Sequence, residues 1–204
     1  MKNNQFIILA LFIIFFSCKK EEPSYTEVSG SVYEQGTNNT KTVANALVEL
    51  QWRIPKTYGA EVYHLDSVRT DENGRFKLSA DAPSKNLYVF ASAYRHFPGG
   101  ELTMRPNVKR GQNQKVNIEL TPYSWIKMNI VNTLGNDRIG INRILGGGVD
   151  NFFSSKDTTF YSIALGNSSI YISCFRYKTP NLRESTQYAV NTIGQDTVEV
   201  YIEF

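Results

Sequence analysis

Polar and apolar residues alternate along most of the chain. Val28, Gly30 and Val32 hold one phase, as do Ala46, Val48, Leu50 and Trp52, then Phe76 and Leu78, then Leu87, Val89 and Ala91, then Val116, Ile118 and Leu120. A period of two puts each set on one face of a sheet and leaves Ser, Glu, Gln, Lys and Asn on the other. No segment past residue 25 sustains apolar residues at helical spacing. Turn signals interrupt the strands at short intervals: "GTNNT", "DENG", "DAPSKN", "PGG" and "KRGQN". Short strands with regular turns predict an all-β protein built of sandwiches.

After "LTP" at 120–122 the alternation restarts. Ile126, Met128 and Ile130 are in phase, and "DRIGINRIL", "TTFYSIAL", "SSIYISCF", "QYAVN" and "DTVEVYIEF" add further strands. Two small β-sandwich domains are expected, at 26–121 and 122–204, with a close junction near Pro122 because no Gly-, Ser- or Pro-rich linker separates them. "TEVSGSVYEQ" and "SWIKMNIVNT" echo one another too weakly to be read as a repeat. "LGGGVD" at 145–150 reads as a flexible loop, since it lacks the G-K-[ST] of a phosphate cradle.

The N-terminus follows another rule. Phe6 to Phe16 is unbroken apolar sequence of eleven residues, preceded by Lys2. At about 1.5 Å per residue it spans roughly half of a hydrocarbon core about 30 Å thick, so it predicts a signal peptide over 1–17 and not a membrane span. Ser17-Cys18 closes the run and resembles the lipobox of bacterial lipoproteins, with Phe15 and Phe16 departing from the usual residues. The resemblance implies that Cys18 is acylated and becomes the mature N-terminus. Two or more acyl chains hold a protein stably on a membrane at about 0.8 kcal/mol per buried methylene. Residues 18–25 then form a tether. Within it, Lys20, Glu21 and Glu22 resemble a surface-export signal of Gram-negative lipoproteins, which implies an outer-membrane lipoprotein facing the cell exterior. The plain alternative is a solvated charge run.

A second resemblance lies in the first half. Gly30-x-Val32, then Ala46-x-Val48-x-Leu50, then Thr70-Asp71-x-x-Gly74-x-Phe76 are similar to the pattern of the carboxypeptidase-regulatory-like domain, a transthyretin-like seven-stranded sandwich. That family's sandwich is accessory, so the resemblance implies no catalytic residue. Local chemistry agrees with its turn: Asp71 bonds backbone N–H groups, Gly74 takes positive φ, and Phe76 returns to the core. "RIPKTYG", between Trp52 and Ala60, is an enlarged hairpin relative to the pattern.

Composition narrows the chemistry. The formal charge is +3 over 204 residues with no basic block, which argues against a nucleic-acid partner. With Cys18 committed to lipid, Cys174 has no intramolecular partner, and its phase with Ile170 and Ile172 predicts a buried thiol. There are two histidines. His64 and Asp66 alternate on one strand, and His96 lies in a loop, but neither has the company a metal site needs. No cofactor is expected. No G-x-S-x-G elbow marks a nucleophile, so the chain is read as not an enzyme, with a hydrolase around His64 or His96 as the alternative and a purely structural envelope protein as a third.

Binding is the remaining role. Of the 12 Tyr and 12 Phe, most are expected in the core or in cross-strand pairs. Those in non-strand segments are the candidates: Tyr58 in the hairpin, and Tyr94 and Phe97 in "AYRHFPGG". Arg53 and Arg95 would offer donors beside them, and Lys56 and Arg105 are nearby in sequence. Flat rings beside donors suit a glycan or an outer-membrane protein partner. The plain alternative is that Tyr94 and Phe97 cap one end of the core.

Overall fold

The computed structural model describes residues 24–83, 85–97, 105–131, 133, 138–142, 144–145, 149–153, 157–179 and 182–203. Cys18, Lys20, Glu21 and Glu22 lie outside the described residues, as does the stretch 1–17 expected to be a signal peptide. The protein is all-β. The first half contains β1 (Tyr25–Glu34), β2 (Leu47–Pro55), β3 (Ala60–Arg69), β4 (Arg75–Asp81), β5 (Leu87–Ser92), β6 (Asn107–Val108) and β7 (Asn113–Leu120). The second contains β8 (Tyr123–Val131), β9 (Arg138–Asn142), β10 (Val149–Phe153), β11 (Thr158–Leu165), β12 (Ser169–Thr179), β13 (Leu182–Asn191) and β14 (Thr197–Glu203).

In the first half a three-stranded sheet, β4-β1-β7, faces a four-stranded sheet, β3-β2-β5-β6. Val28, Val32, Phe76, Leu78, Ile118 and Leu120 from one meet Val48, Leu50, Leu87, Val89 and Ala91 from the other in one buried cluster. Gly30 shares their phase for a steric reason. A Cβ there would sit 1.7 Å from the Val116 carbonyl oxygen of β7, so only glycine lets β7 lie parallel along β1. The "TDENG" turn forms as its chemistry predicts. Asp71 Oδ1 accepts from the Asn73 and Arg75 N–H groups at 2.9 and 2.8 Å, and Gly74 has φ of 71°. Thr70 is buried and latches the turn to the start of β2, accepting from Ala46 N at 2.9 Å and donating to Val43 O at 2.8 Å.

The second half repeats this plan strand for strand. Its sheets are β11-β8-β14 and β10-β9-β12-β13, the first-half orders with each number raised by seven. Its first and last strands are again parallel neighbours, and its first and fourth again antiparallel. A buried hydroxyl recurs at the second residue of each first strand: Thr26 accepts from Gly111 N at 2.9 Å, and Ser124 donates to Asp196 O at 3.1 Å. The echo between "TEVSGSVYEQ" and "SWIKMNIVNT" is thus a real topological repeat, β1 against β8. The echo is faint in sequence because the outward residues differ throughout and one inward pair does too: Gly30 in one copy stands where the buried Met128 stands in the other. The stretch read as a Gly-rich loop is shorter than expected, since β10 begins at Val149 and pairs with β9.

The halves meet at Thr121-Pro122, where the connecting backbone is bonded from both sides. Phe97 N donates to Thr121 O, Tyr123 N to Arg95 O and Gly166 N to Pro122 O, at 2.8 to 2.9 Å. Behind this lies a buried polar cluster. Glu34, its side chain 2% exposed, takes Lys41 Nζ at 2.8 Å and Asn167 Nδ2 at 2.9 Å. Burial alone would raise the Glu34 carboxyl, but the bonds from Lys41 and Asn167 and the charges of Lys41 and His96 outweigh it and hold it below the usual carboxylate range. Arg95, Asn167 and Gln195 all adopt positive φ here. Such residues are uncommon and persist where their surroundings fix them.

Candidate binding surface

The outward phase of the β11-β8-β14 sheet carries rings instead of the usual small polar residues. On β8, Ser124, Ile126, Met128 and Ile130 point into the core, so Trp125, Lys127 and Asn129 point out. Register places Ile163 of β11 beside Trp125, Tyr161 beside Lys127 and Tyr201 of β14 beside Asn129. Tyr161 is 60% exposed, Tyr201 65% and Ile163 45%. With strands about 4.8 Å apart and about 3.3 Å rise per residue, the Tyr161 and Tyr201 backbones are roughly 12 Å apart.

The charges on this face cancel. Lys127 Nζ lies 2.5 Å from Glu199 Oε1, and the Tyr201 hydroxyl donates to Glu199 Oε2 at 3.2 Å. The hydrogen bond and charge of Glu199 raise the Lys127 pKa, and those of Lys127 lower that of Glu199. Two sequence-predicted residues join at the junction side. The Arg95 guanidinium lies 5.2 Å from the Trp125 ring centre and 5.4 Å from that of Tyr94, and Tyr94 is 85% exposed. The result is an exposed face of rings around a neutral ion pair.

The five residues singled out from the sequence do not form one site. β2 and β5 are antiparallel, with Leu47 opposite Ser92 and Trp52 opposite Leu87. Tyr94, Arg95 and Phe97 therefore follow the Leu47 end of β2, while the hairpin bearing Arg53 and Tyr58 lies at its Pro55 end, about 26 Å away. That hairpin is also less irregular than expected. Arg53, Ile54 and Pro55 stay paired with Val62, Glu61 and Ala60, leaving a tight turn over 56–59. Tyr58 is 96% exposed at the tip. The Arg53 guanidinium lies 5.9 Å from the Tyr88 ring centre and that of Arg105 5.3 Å from Phe90. Phe97 is not a free platform: it packs edge-on against Tyr123 at 4.4 Å and belongs to the junction.

The histidines are equally separate. His64, on β3, turns Nδ1 to Glu49 at 2.7 Å. Asp66 instead accepts from Ser79 N of β4 at 2.8 Å, because a bulge in the β2–β3 register changes the phase between them. His96 is buried in the junction, donating from Nδ1 to Tyr94 O at 2.8 Å and placing Nε2 3.6 Å from Glu34. Among the described residues no group of three or more His, Cys, Asp or Glu is placed to hold a metal ion. Cys174 is buried, and burial pushes its thiol up to about 12.

Trp125, Tyr161, Ile163 and Tyr201 were legible only as strand residues. Their signal is phase: each large side chain falls on the alternation that should be polar.

No protein-family model matches the chain, and no curated protein matches it. Solved structures of similar shape include a streptococcal ancillary pilin (TM-score 0.40, 11% identity, covering 88% of this chain and 62% of the pilin). Another is the TIE protein of Bacillus anthracis (0.32, 12%, 88% of this chain and 34% of that one). A third is a minor pilin of Streptococcus agalactiae (0.36, 10%, 87% and 94%). The chain spans less than two thirds of the first two proteins. All three TM-scores are below 0.5.

Proposed function

We propose that this protein is a lipid-anchored, non-catalytic binding module of the cell envelope that captures a glycan on the outer face of the β11-β8-β14 sheet. The observation that carries the reading is the row of Tyr161, Tyr201, Ile163 and Trp125 on one exposed sheet face, with Arg95 and Tyr94 at its rim. Ring faces stack on the C–H faces of sugars, and the Lys127–Glu199 pair and Asn129 supply donors and acceptors for hydroxyls between the rings. A self-neutralised face suits an uncharged ligand better than a polyanion. In this reading the first half is an accessory sandwich of the carboxypeptidase-regulatory-like kind. Cys18 carries the lipid, and Lys20, Glu21 and Glu22 direct the protein to the outer surface of the outer membrane.

The test is a glycan array probed with the folded protein, followed by titration of any hit. Tyr161→Ala and Tyr201→Ala should each weaken binding about five- to tenfold, given roughly 1–1.4 kcal/mol per stacked ring. Tyr58→Ala should leave it unchanged. A glycan hit insensitive to both sheet-face variants would refute the site. Capture of an outer-membrane protein, with no glycan bound, would transfer the function to assembly.

A further inference from the structure

The chain enters the folded body at the end of the first sandwich that is opposite the junction. There Ser24 O accepts from Ala82 N at 3.0 Å, and Ala82 O accepts from Arg110 Nε at 2.6 Å. This short relay ties the entry point to a cleft of about 460 Å³ lined by Lys85 and by Asn107 to Gln112. Among the described residues, the charged side chains that line it are Lys85, Lys109 and Arg110. Lys85 and Lys109 are exposed.

The β2–β3 hairpin stands at the same end. Arg53 N donates to Asn86 O at 3.0 Å beside the cleft. Beyond Trp52, the last β2 residue paired with β5, three further β2–β3 pairs carry the hairpin roughly 10 Å past the sheet. Its tip presents Tyr58, almost wholly in solvent, and Lys56, which pairs with Glu61 at 3.1 Å. Asp81 accepts from the Ser24 hydroxyl at 3.0 Å.

From Cys18 to Ser24 there are six residues, which reach about 20 Å when extended. A lipid on Cys18 therefore holds this end, and no other, against the bilayer. We propose that the Lys85–Lys109–Arg110 cleft and the Tyr58 hairpin dock on anionic lipid headgroups, standing the protein upright with its second sandwich outermost. Basic side chains within a Debye length of an anionic leaflet are attracted to it, and a tyrosine ring suits the water–headgroup boundary. The orientation rests on the anchor reading, but headgroup binding can be tested without it.

The experiment uses the mature chain from Cys18 onward with Cys18→Ser, so that no acyl chain contributes. It is floated with phosphatidylcholine vesicles, or with vesicles of about one third phosphatidylglycerol. The protein should float with the anionic vesicles at low salt and not with the neutral ones. Lys85→Glu with Lys109→Glu should reduce flotation about tenfold or more, and Tyr58→Ser should weaken it further. Arg75→Glu with Lys115→Glu, the same charge change on the β4-β1-β7 face, should have little effect. Equal flotation with neutral vesicles, indifference to the Lys85/Lys109 pair, or an equal loss in the Arg75/Lys115 control would each overturn the proposal. Failure of Cys18 to take a fatty-acid label would overturn the anchor and leave this measurement standing.

Discussion

Asn167 and Glu34, 133 residues apart in sequence, are joined by one hydrogen bond of 2.9 Å that crosses from the second sandwich to the first. Asn167 also donates to Gln35 O at 3.0 Å and accepts from Gly194 N at 2.8 Å, so a single amide stitches three turns together. Gly194 leaves room for this, since a Cβ there would lie 2.6 Å from Glu34 Oε1.

Glu34→Gln should therefore destabilise the protein by about 1–3 kcal/mol at neutral pH, the usual worth of a buried bond to a charged group. The native carboxyl titrates below its ordinary 4.5. Its contribution is full above that value and is lost as pH falls through the lowered native value. The melting-temperature gap between wild type and Glu34→Gln should then be widest near pH 7 and close as the solution is acidified below about 4.5. A gap that widens in acid would contradict the assignment.

Gly30→Ala should be among the most damaging single changes in the first half. The added methyl meets the Val116 carbonyl at 1.7 Å, which is backbone and cannot swing aside. A loss of about 3 kcal/mol or more is expected, read as a shift in urea midpoint. Ser29→Ala, one residue away on the outward phase, should shift it by less than about 0.5 kcal/mol.

Cys174 should resist thiol reagents in the native state. Its thiol is buried, and burial pushes it up to about 12, so the thiolate is scarce near neutral pH. A maleimide should label it only after denaturant is added. Rapid labelling at pH 8 in buffer would show an accessible sulfur.

For the anchor, fatty-acid labelling should be abolished by Cys18→Ala. External protease on intact cells should shave the wild type and spare the Glu21→Ala, Glu22→Ala double variant. Equal protection of both proteins would assign the anchor to a periplasm-facing leaflet.

The strands were readable because their pattern is physical and local. Val28, Val32, Leu50, Leu78 and Leu120 are buried because alternation puts them on the inner face, and Asp71, Gly74 and Phe76 close a turn whose chemistry lies within six residues. Relationships at long range were not readable. Nothing near Tyr58 or Phe97 says that a strand of nine residues separates their loops, and nothing near Glu34 announces Asn167. The candidate face was hidden for a related reason. Tyr161, Trp125 and Tyr201 sit on three strands that become neighbours only through one antiparallel and one parallel pairing.

In each half the first strand is completed by the last. β1 lacks one neighbour until β7 arrives, and β8 lacks one until β14 does. A chain made from its N-terminus can thus seal its first sandwich once Leu120 has emerged. The second would wait, with one side of β8 open, for the final seven-residue strand. That waiting period is the moment of greatest exposure to misassembly. During it the unsatisfied edge of β8 could be taken by a strand of another molecule, so delay in the arrival of β14 should favour strand-exchanged dimers over monomer.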